Sequence, residues 1–241
     1  MLERSIEPVR LVPERKPRGV RWLARLDPVT AATYAAAVAP LVPAIESALP
    51  PTVVANRVAE IRTRPPAIRL EAWASARARF RALVAGLAAD AGAALVADVH
   101  DFYGSVAPGV LAGSLAGVGC GTGDVRRAVA AVRRLNAYGV RGLPIGPEPS
   151  AVLANASLAG VDASLASAGF RHVRWVDDIL VFTSDAAAAH DALVVLTRAL
   201  ARARLRPARH KTRVLADPRS LAAAGVGVMS GPGPRAVAAS G

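Results

Sequence analysis

The run HVRWVDDILVF, residues 172 to 182, constrains the fold of this chain more than any other segment. Two short β-prone stretches meet at Asp177-Asp178, which reads as a β-hairpin with an acidic tip. Two-residue hairpin turns favour Asn-Gly or Asp-Gly because their backbone needs positive φ, so turn geometry alone does not select Asp-Asp. Adjacent carboxylates beside Trp175, Val176, Ile179 and Leu180 repel each other and lose hydration, which raises their pKa unless a cation neutralises them. A hard divalent metal with oxygen ligands does so; an exposed acidic turn is the plainer account of a bare Asp-Asp dipeptide.

A second acidic position shifts that balance. AALVADVHDFY, residues 93 to 103, is an apolar run of strand length that meets Asp98 and then Asp101. If both strands lie side by side in one sheet, Asp98 and Asp177 can share two metal ions, an arrangement that supports in-line phosphoryl transfer. The net charge of +12 makes a polyanion such as nucleic acid the expected partner, with an acidic membrane as the other candidate. Metals joining acid to phosphate, with arginines around them, reconcile an acidic centre with a basic chain.

The chain has 241 residues, 53% of them hydrophobic, which excludes a disordered polypeptide and suggests one or two folding units. Cys120 is the only cysteine, so an intrachain disulfide and a thiolate metal cluster are both excluded, and a reducing, cytoplasmic setting is expected. MLERSIEPVR lacks the apolar core of a signal peptide. The uncharged stretches from Pro28 to Ile45 and Gly104 to Gly123 are expected to fall short of a membrane span.

Residues 1–28 read as extended or loop structure. Helices are expected near 28–49, ended by Pro50-Pro51, and over 70–89, 124–137 and 186–204. Arg126, Arg127, Arg133 and Arg134 share one face of the third. GLPIGPEPSAVLANASL, residues 142 to 158, reads as a Gly/Pro loop that becomes a helix at Ser150, its N-cap. GVGCGTGD lacks the ending of a phosphate-binding loop, and His100, His172, His190 and His210 show no ligand spacing. The last twelve residues, 230–241, read as a disordered tail.

Four segments in order, DVHDFYGSV (98 to 106), GLPIGPEPSAVLAN (142 to 155), RWVDDILVF (174 to 182) and the Lys of RPARHKTRVL (206 to 215), resemble motifs A, B, C and D of reverse transcriptases. The likeness is greatest to bacterial types such as the retron, abortive-infection and defence-associated groups, and it extends from about Pro13 to Leu215. It implies that Asp98, Asp177 and Asp178 are metal ligands and that Tyr103 blocks a ribose 2′-hydroxyl. It also places Asp101 and Phe102 where the backbone nears the triphosphate. Gly142, Pro144 and Gly146 come against the nascent base pair, with Ser150 and Asn155 on the helix below. VPERKPRGVRWL resembles the fingers segment, so Lys16, Arg21 and Arg57 are candidate contacts to triphosphate or template.

Lys211 has an argument of its own. Lysine occurs only at 16 and 211 in a chain that otherwise uses arginine, and a guanidinium cannot release a proton. The resemblance agrees, since this Lys is the position assigned to protonate the leaving pyrophosphate. Two departures concern substrate handling: Ile145 stands where many relatives have Gln, and Trp175 where most have Tyr or Phe.

The implied fold is α+β, a right-hand polymerase with N-terminal fingers over 1–92 and a palm over 93–229 that carries a small antiparallel sheet and a helical insertion at 113–140. Only 30 residues follow Lys211, so the thumb is expected to be absent or minimal. The implied activity is RNA-directed DNA synthesis with dNTPs and Mg2+, Mn2+ being the alternative ion. An RNA template, a DNA or protein primer, and a structured noncoding RNA or thumb-supplying subunit are the expected partners, and no membrane. A template-independent polymerase and a noncatalytic RNA-binding scaffold with a degenerate palm are the alternatives.

Overall fold

Alternating apolar and charged residues build the first element, read from sequence as extended or loop structure, as a hairpin. In the computed structural model, which describes residues 7–16 and 19–216, β1 (Val9–Lys16) pairs antiparallel with β2 (Gly19–Leu26). Pro13 is tolerated because this two-stranded ribbon is all edge. Asp27 then starts α1 (Pro28–Val38): its carboxylate accepts from the Val29 and Thr30 amides, and Pro28 stands where no amide is needed.

The expected helix over 28–49 is broken. A 3-10 turn at Ala39–Leu41 separates α1 from α2 (Val42–Ala48), because Pro40 and Pro43 lack the amides that a continuous helix needs. Contrary to the sequence expectation, Pro28–Ala48 is long and apolar enough to match a membrane span by length and composition. Here that run contributes Tyr34, Val38, Leu41 and Ile45 to the core, each at most 1% exposed. A second hairpin follows, β3 (Val58–Thr63) with β4 (Pro66–Leu70), and then α3 (Trp73–Ala89).

The central sheet has the order β6-β7-β5-β8 and is antiparallel throughout, formed by β5 (Ala93–Asp98), β6 (Arg171–Trp175), β7 (Asp178–Thr183) and β8 (Arg213–Leu215). Every residue of β5 is buried, as expected of a strand covered on both faces. Side chains alternate accordingly. Leu95, Ala97, Ile179 and Val181 enter one core with α7 (Glu148–Ser167) and α8 (Ala186–Arg202), while Val96, Val173, Leu180 and Phe182 pack with Phe80 and Val84 of α3. Asp185 caps α8 through the Ala188 amide.

The Gly-rich stretch after β5 is helical: α4 (Phe102–Ser105) and α5 (Pro108–Gly117) precede α6 (Thr122–Asn136). Leu111 and Leu115, one helical turn apart, are fully buried and hold α5 in place despite its glycines. The segment read as a disordered tail, 230–241, lies outside the described residues.

Candidate active site

β5 ends at Asp98 where β7 begins at Asp178, and these two are register partners, so their side chains share one face of the sheet. Trp175 pairs with Asp178, which makes Val176 and Asp177 the central residues of the hairpin turn; the expected tip at Asp177-Asp178 is displaced by one residue. Val176 has φ +56, a conformation that a β-branched residue adopts at a cost of roughly 1–3 kcal/mol. The Asp177 carbonyl accepts from the Val99 amide at 3.2 Å, which ties the turn to the end of β5.

Lys211 comes in from the C-terminal side. The Ala208 amide donates to the Asp98 carbonyl at 2.7 Å and the His100 amide to the Arg206 carbonyl at 2.9 Å, so the 3-10 turn Arg209–Lys211 is pinned beside β5. From there Lys211 Nζ donates to Asp98 Oδ2 at 2.6 Å. Desolvation works against this ammonium, but the Asp98 hydrogen bond and charge, with the charges of Asp177 and Asp178, outweigh it and raise its pKa. Asp177 is pushed up to about 6, first by burial and then by the negative charge of Asp98, with Lys211 and Arg21 acting in the opposite direction.

These features bear on a divalent cation. Asp98 and Asp177 form a carboxylate pair whose repulsion a cation relieves, and an ammonium already lies on one member. The donor chemistry therefore fits a hard metal ion. Among the described residues, no three His, Cys, Asp or Glu side chains converge as a ready metal-binding group. Asp178 lies across from Asp98 in register, the charge of Asp98 acts on Asp177, and the charges of all three acids act on Lys211.

The segments read as motifs A and B close against each other. The Leu143 amide donates to the Tyr103 carbonyl at 2.9 Å, and a Cβ on Gly142 would stand 2.2 Å from that same oxygen. Gly142 also has φ +65, so both conformation and space require glycine there. Asp101, in the left-handed region at φ 44, forms an ion pair with Arg141, and buried Phe102 meets Tyr103 edge to face at 5.5 Å. Burial raises the Tyr103 hydroxyl pKa first and the Asp177 charge raises it further, against Arg21 and a hydrogen bond with Asn56. Tyr103 and Arg21 thus lie within electrostatic reach of Asp177 and its turn.

Pro144 is buried, the Ile145 carbonyl accepts from the Ala24 amide of β2 at 2.8 Å, and Gly146 at φ +124 comes close to the Ala24 carbonyl. Ser150 is not an N-cap. The helix starts two residues earlier, with Pro147 in the cap position, and Ser150 is fully buried with its hydroxyl 3.0 Å from that of Tyr34.

Arg57 is not part of this cluster: its guanidinium donates to Glu46 Oε2 at 2.6 Å and to the carbonyls of Pro50, Val53 and Glu46, bracing the segment after α2. Lys16 is the last residue of β1. Arg21 forms an ion pair with Glu14 at 3.8 Å.

A buried polar network adjoins the turn that sequence reasoning did not find. Arg174, with no exposed surface, forks onto Asp162 through Nε at 2.9 Å and Nη2 at 2.7 Å, and its Nη1 donates to Asn155 Oδ1 at 3.0 Å and to the Val176 carbonyl at 2.9 Å. His172 Nε2 lies 3.2 Å from the same Asp162. Burial opposes the Asp162 charge, but Arg174 and His172 outweigh it and hold the carboxyl below its usual range. The available signal was an arginine inside an apolar strand, which needs a buried acid to pair with.

A sequence model of the family described as Reverse transcriptase (RNA-dependent DNA polymerase) matches residues 67–228, which is two thirds of the chain and contains Asp98, Asp101, Asp162, Asp177 and Asp178. The chain belongs to that family and is a nucleotidyltransferase of the RNA-directed DNA polymerase class. A search of the curated proteins returned no match. Reverse transcriptase domains act on nucleotides along a nucleic-acid template and generally use divalent metals such as Mg2+.

Proposed function

We propose that this protein extends a 3′-hydroxyl with dNTPs on an RNA template, with Asp98 and Asp177 at the catalytic centre and Asp178 beside them. The observation that carries this reading is the Lys211 ammonium 2.6 Å from Asp98 Oδ2, with Asp177 on the adjoining turn held near pKa 6 by burial and by the charge of Asp98. Divalent ions held by Asp98 and Asp177 would activate the attacking hydroxyl and neutralise the triphosphate.

The reaction joins the 3′-oxygen to the α-phosphorus and breaks the bond to the bridging oxygen of the leaving pyrophosphate. Lys211 carries a proton that it can deliver to that departing oxygen, and its raised pKa keeps the proton in place until negative charge develops there. Tyr103, fixed through its carbonyl by Leu143, supports a preference for deoxynucleotides. The two N-terminal hairpins and helices 28–48 correspond to fingers, and the four-stranded sheet with α7 and α8 to a palm. The likeness of the motifs to retron and defence-associated enzymes supports a bacterial enzyme of that type, working with a structured RNA or a thumb-supplying subunit.

The test is Mg2+-dependent dNTP incorporation on a primed RNA, beside Asp177→Ala, Asp178→Ala and a reaction without template. Synthesis that needs template and is abolished by either substitution supports the reading. Turnover that persists in Asp177→Ala, or RNA binding without turnover, refutes it.

A further inference from the structure

Val176 holds a backbone conformation that its side chain disfavours, and a buried guanidinium two residues earlier donates to its carbonyl. Arg174 is anchored along its whole length. Its amide donates to the Thr52 carbonyl at 2.9 Å and its carbonyl accepts from the Val54 amide at 3.0 Å, so residues 52–54 cover the outer edge of β6. Its side chain crosses to α7, where Asp162 takes one side of the guanidinium and Asn155 meets the other. Asn155 Nδ2 in turn donates to the Ala55 carbonyl at 3.0 Å, returning the network to the covering segment.

A buried ion pair is weak support for stability, since apolar replacements of similar volume often do as well. What an apolar residue could not supply is the remaining Nη1 donor, 2.9 Å from the Val176 carbonyl. The next residue is Asp177. We infer that Arg174 is the positioning residue of this turn: clamped on Asp162, it holds the Val176 carbonyl and so sets where the Asp177 carboxylate stands relative to Asp98. The assignment goes one step past the proposed function and rests on Asp177 acting in catalysis.

Arg174→Lys tests it. An ammonium can keep the charge pairing with Asp162 but cannot also span Asn155 and the Val176 carbonyl with a planar fork. The expected result is a folded protein whose crystal structure shows Val176 out of its positive-φ conformation and Asp177 shifted. Its kcat falls about 100-fold, the scale of a 1 Å misplacement, while the KM for dNTP stays within about threefold. Adding Val176→Gly, which accepts positive φ without a clamp, recovers at least about tenfold of kcat, a non-additivity that a purely structural role does not produce.

A folded Arg174→Lys protein with the Val176 turn unchanged, or with wild-type kcat per folded molecule, overturns the inference. If Arg174→Lys does not fold, Asp162→Glu keeps the charge and moves the clamp by one methylene, with the same expectations and the same overturning results. The two levels of reading separate cleanly: absent turnover in the wild type refutes the role of Asp177, whereas the Val176 geometry in the variants judges the clamp by itself.

Discussion

Lys211 Nζ rests 2.6 Å from Asp98 Oδ2, so the carboxylate at the end of β5 is already paired with a cation supplied by the chain itself. Any metal ion that uses Asp98 competes with that ammonium. Lys211→Ala is therefore expected to bind Mn2+ more tightly, read by electron paramagnetic resonance, while single-turnover incorporation slows by about 100-fold or more through loss of the proton donor. Lys211→Arg keeps the competing charge and cannot release a proton, so it should slow turnover without tightening the metal. Because the folded pKa of Lys211 is raised, the pair stabilises the metal-free protein at neutral pH. That contribution, within about 1 kcal/mol for so exposed a lysine, disappears as pH climbs past 10.5 and through the folded value.

Asp177 titrates in the opposite sense. Its carboxyl is raised from 3.8 to about 6, so ionisation costs the folded state more than the unfolded one. In the absence of metal, wild type and Asp177→Asn should have similar stability below about pH 4. The variant should gain from there to pH 6, and then hold an advantage of up to ~3 kcal/mol. Urea denaturation at several pH values, with chelator present, measures this. The same variant should lose polymerase activity, so the position exchanges stability for chemistry.

Gly142 cannot accept a side chain. Alanine there would need φ near +65 and would press its Cβ to 2.2 Å from the Tyr103 carbonyl. Gly142→Ala should destabilise the protein by about 2 kcal/mol or more in thermal denaturation. Because the displaced group is the backbone of Tyr103, the variant should also incorporate ribonucleotides more readily, measured as the ratio of kcat/KM for dNTP and NTP.

Asn155 has all its polar contacts inside the protein, accepting from Arg174 and donating to the Ala55 carbonyl. Asn155→Ala leaves a buried guanidinium donor and a carbonyl unpaired, at a cost of about 1–3 kcal/mol, whereas Asn155→Asp adds a second charge beside Asp162. Melting temperatures of the two variants should both fall.

The acids and the strands that bear them were readable because an apolar run interrupted by charge leaves few alternatives; β5 and β7 lie side by side as their sequences suggested. Other features depended on partners remote in sequence. Ser150 has the right residue type for a cap, but its hydroxyl is taken by Tyr34, more than a hundred positions away. Arg57 looked like a ligand contact until Glu46 and three carbonyls claimed its donors. Local propensity also missed the β3–β4 hairpin, in which β3 is largely exposed, β4 is half-buried, and neither carries apolar alternation strong enough to declare it. An arginine inside an apolar strand signals a buried acid, but only the packing of α7 shows that the partner of Arg174 is Asp162.

The attachment of residues 206–211 to the end of β5 bears on when this enzyme can become active during its own synthesis. Asp98 leaves the ribosome more than a hundred residues before the lysine that neutralises it, and its carbonyl waits for the Ala208 amide throughout that interval. A nascent chain that has completed the Asp177 hairpin still lacks the segment that fastens Asp98, so no growing intermediate holds an assembled centre. A chain that ends before residue 206 lacks both the Ala208 and the Lys211 contacts to Asp98.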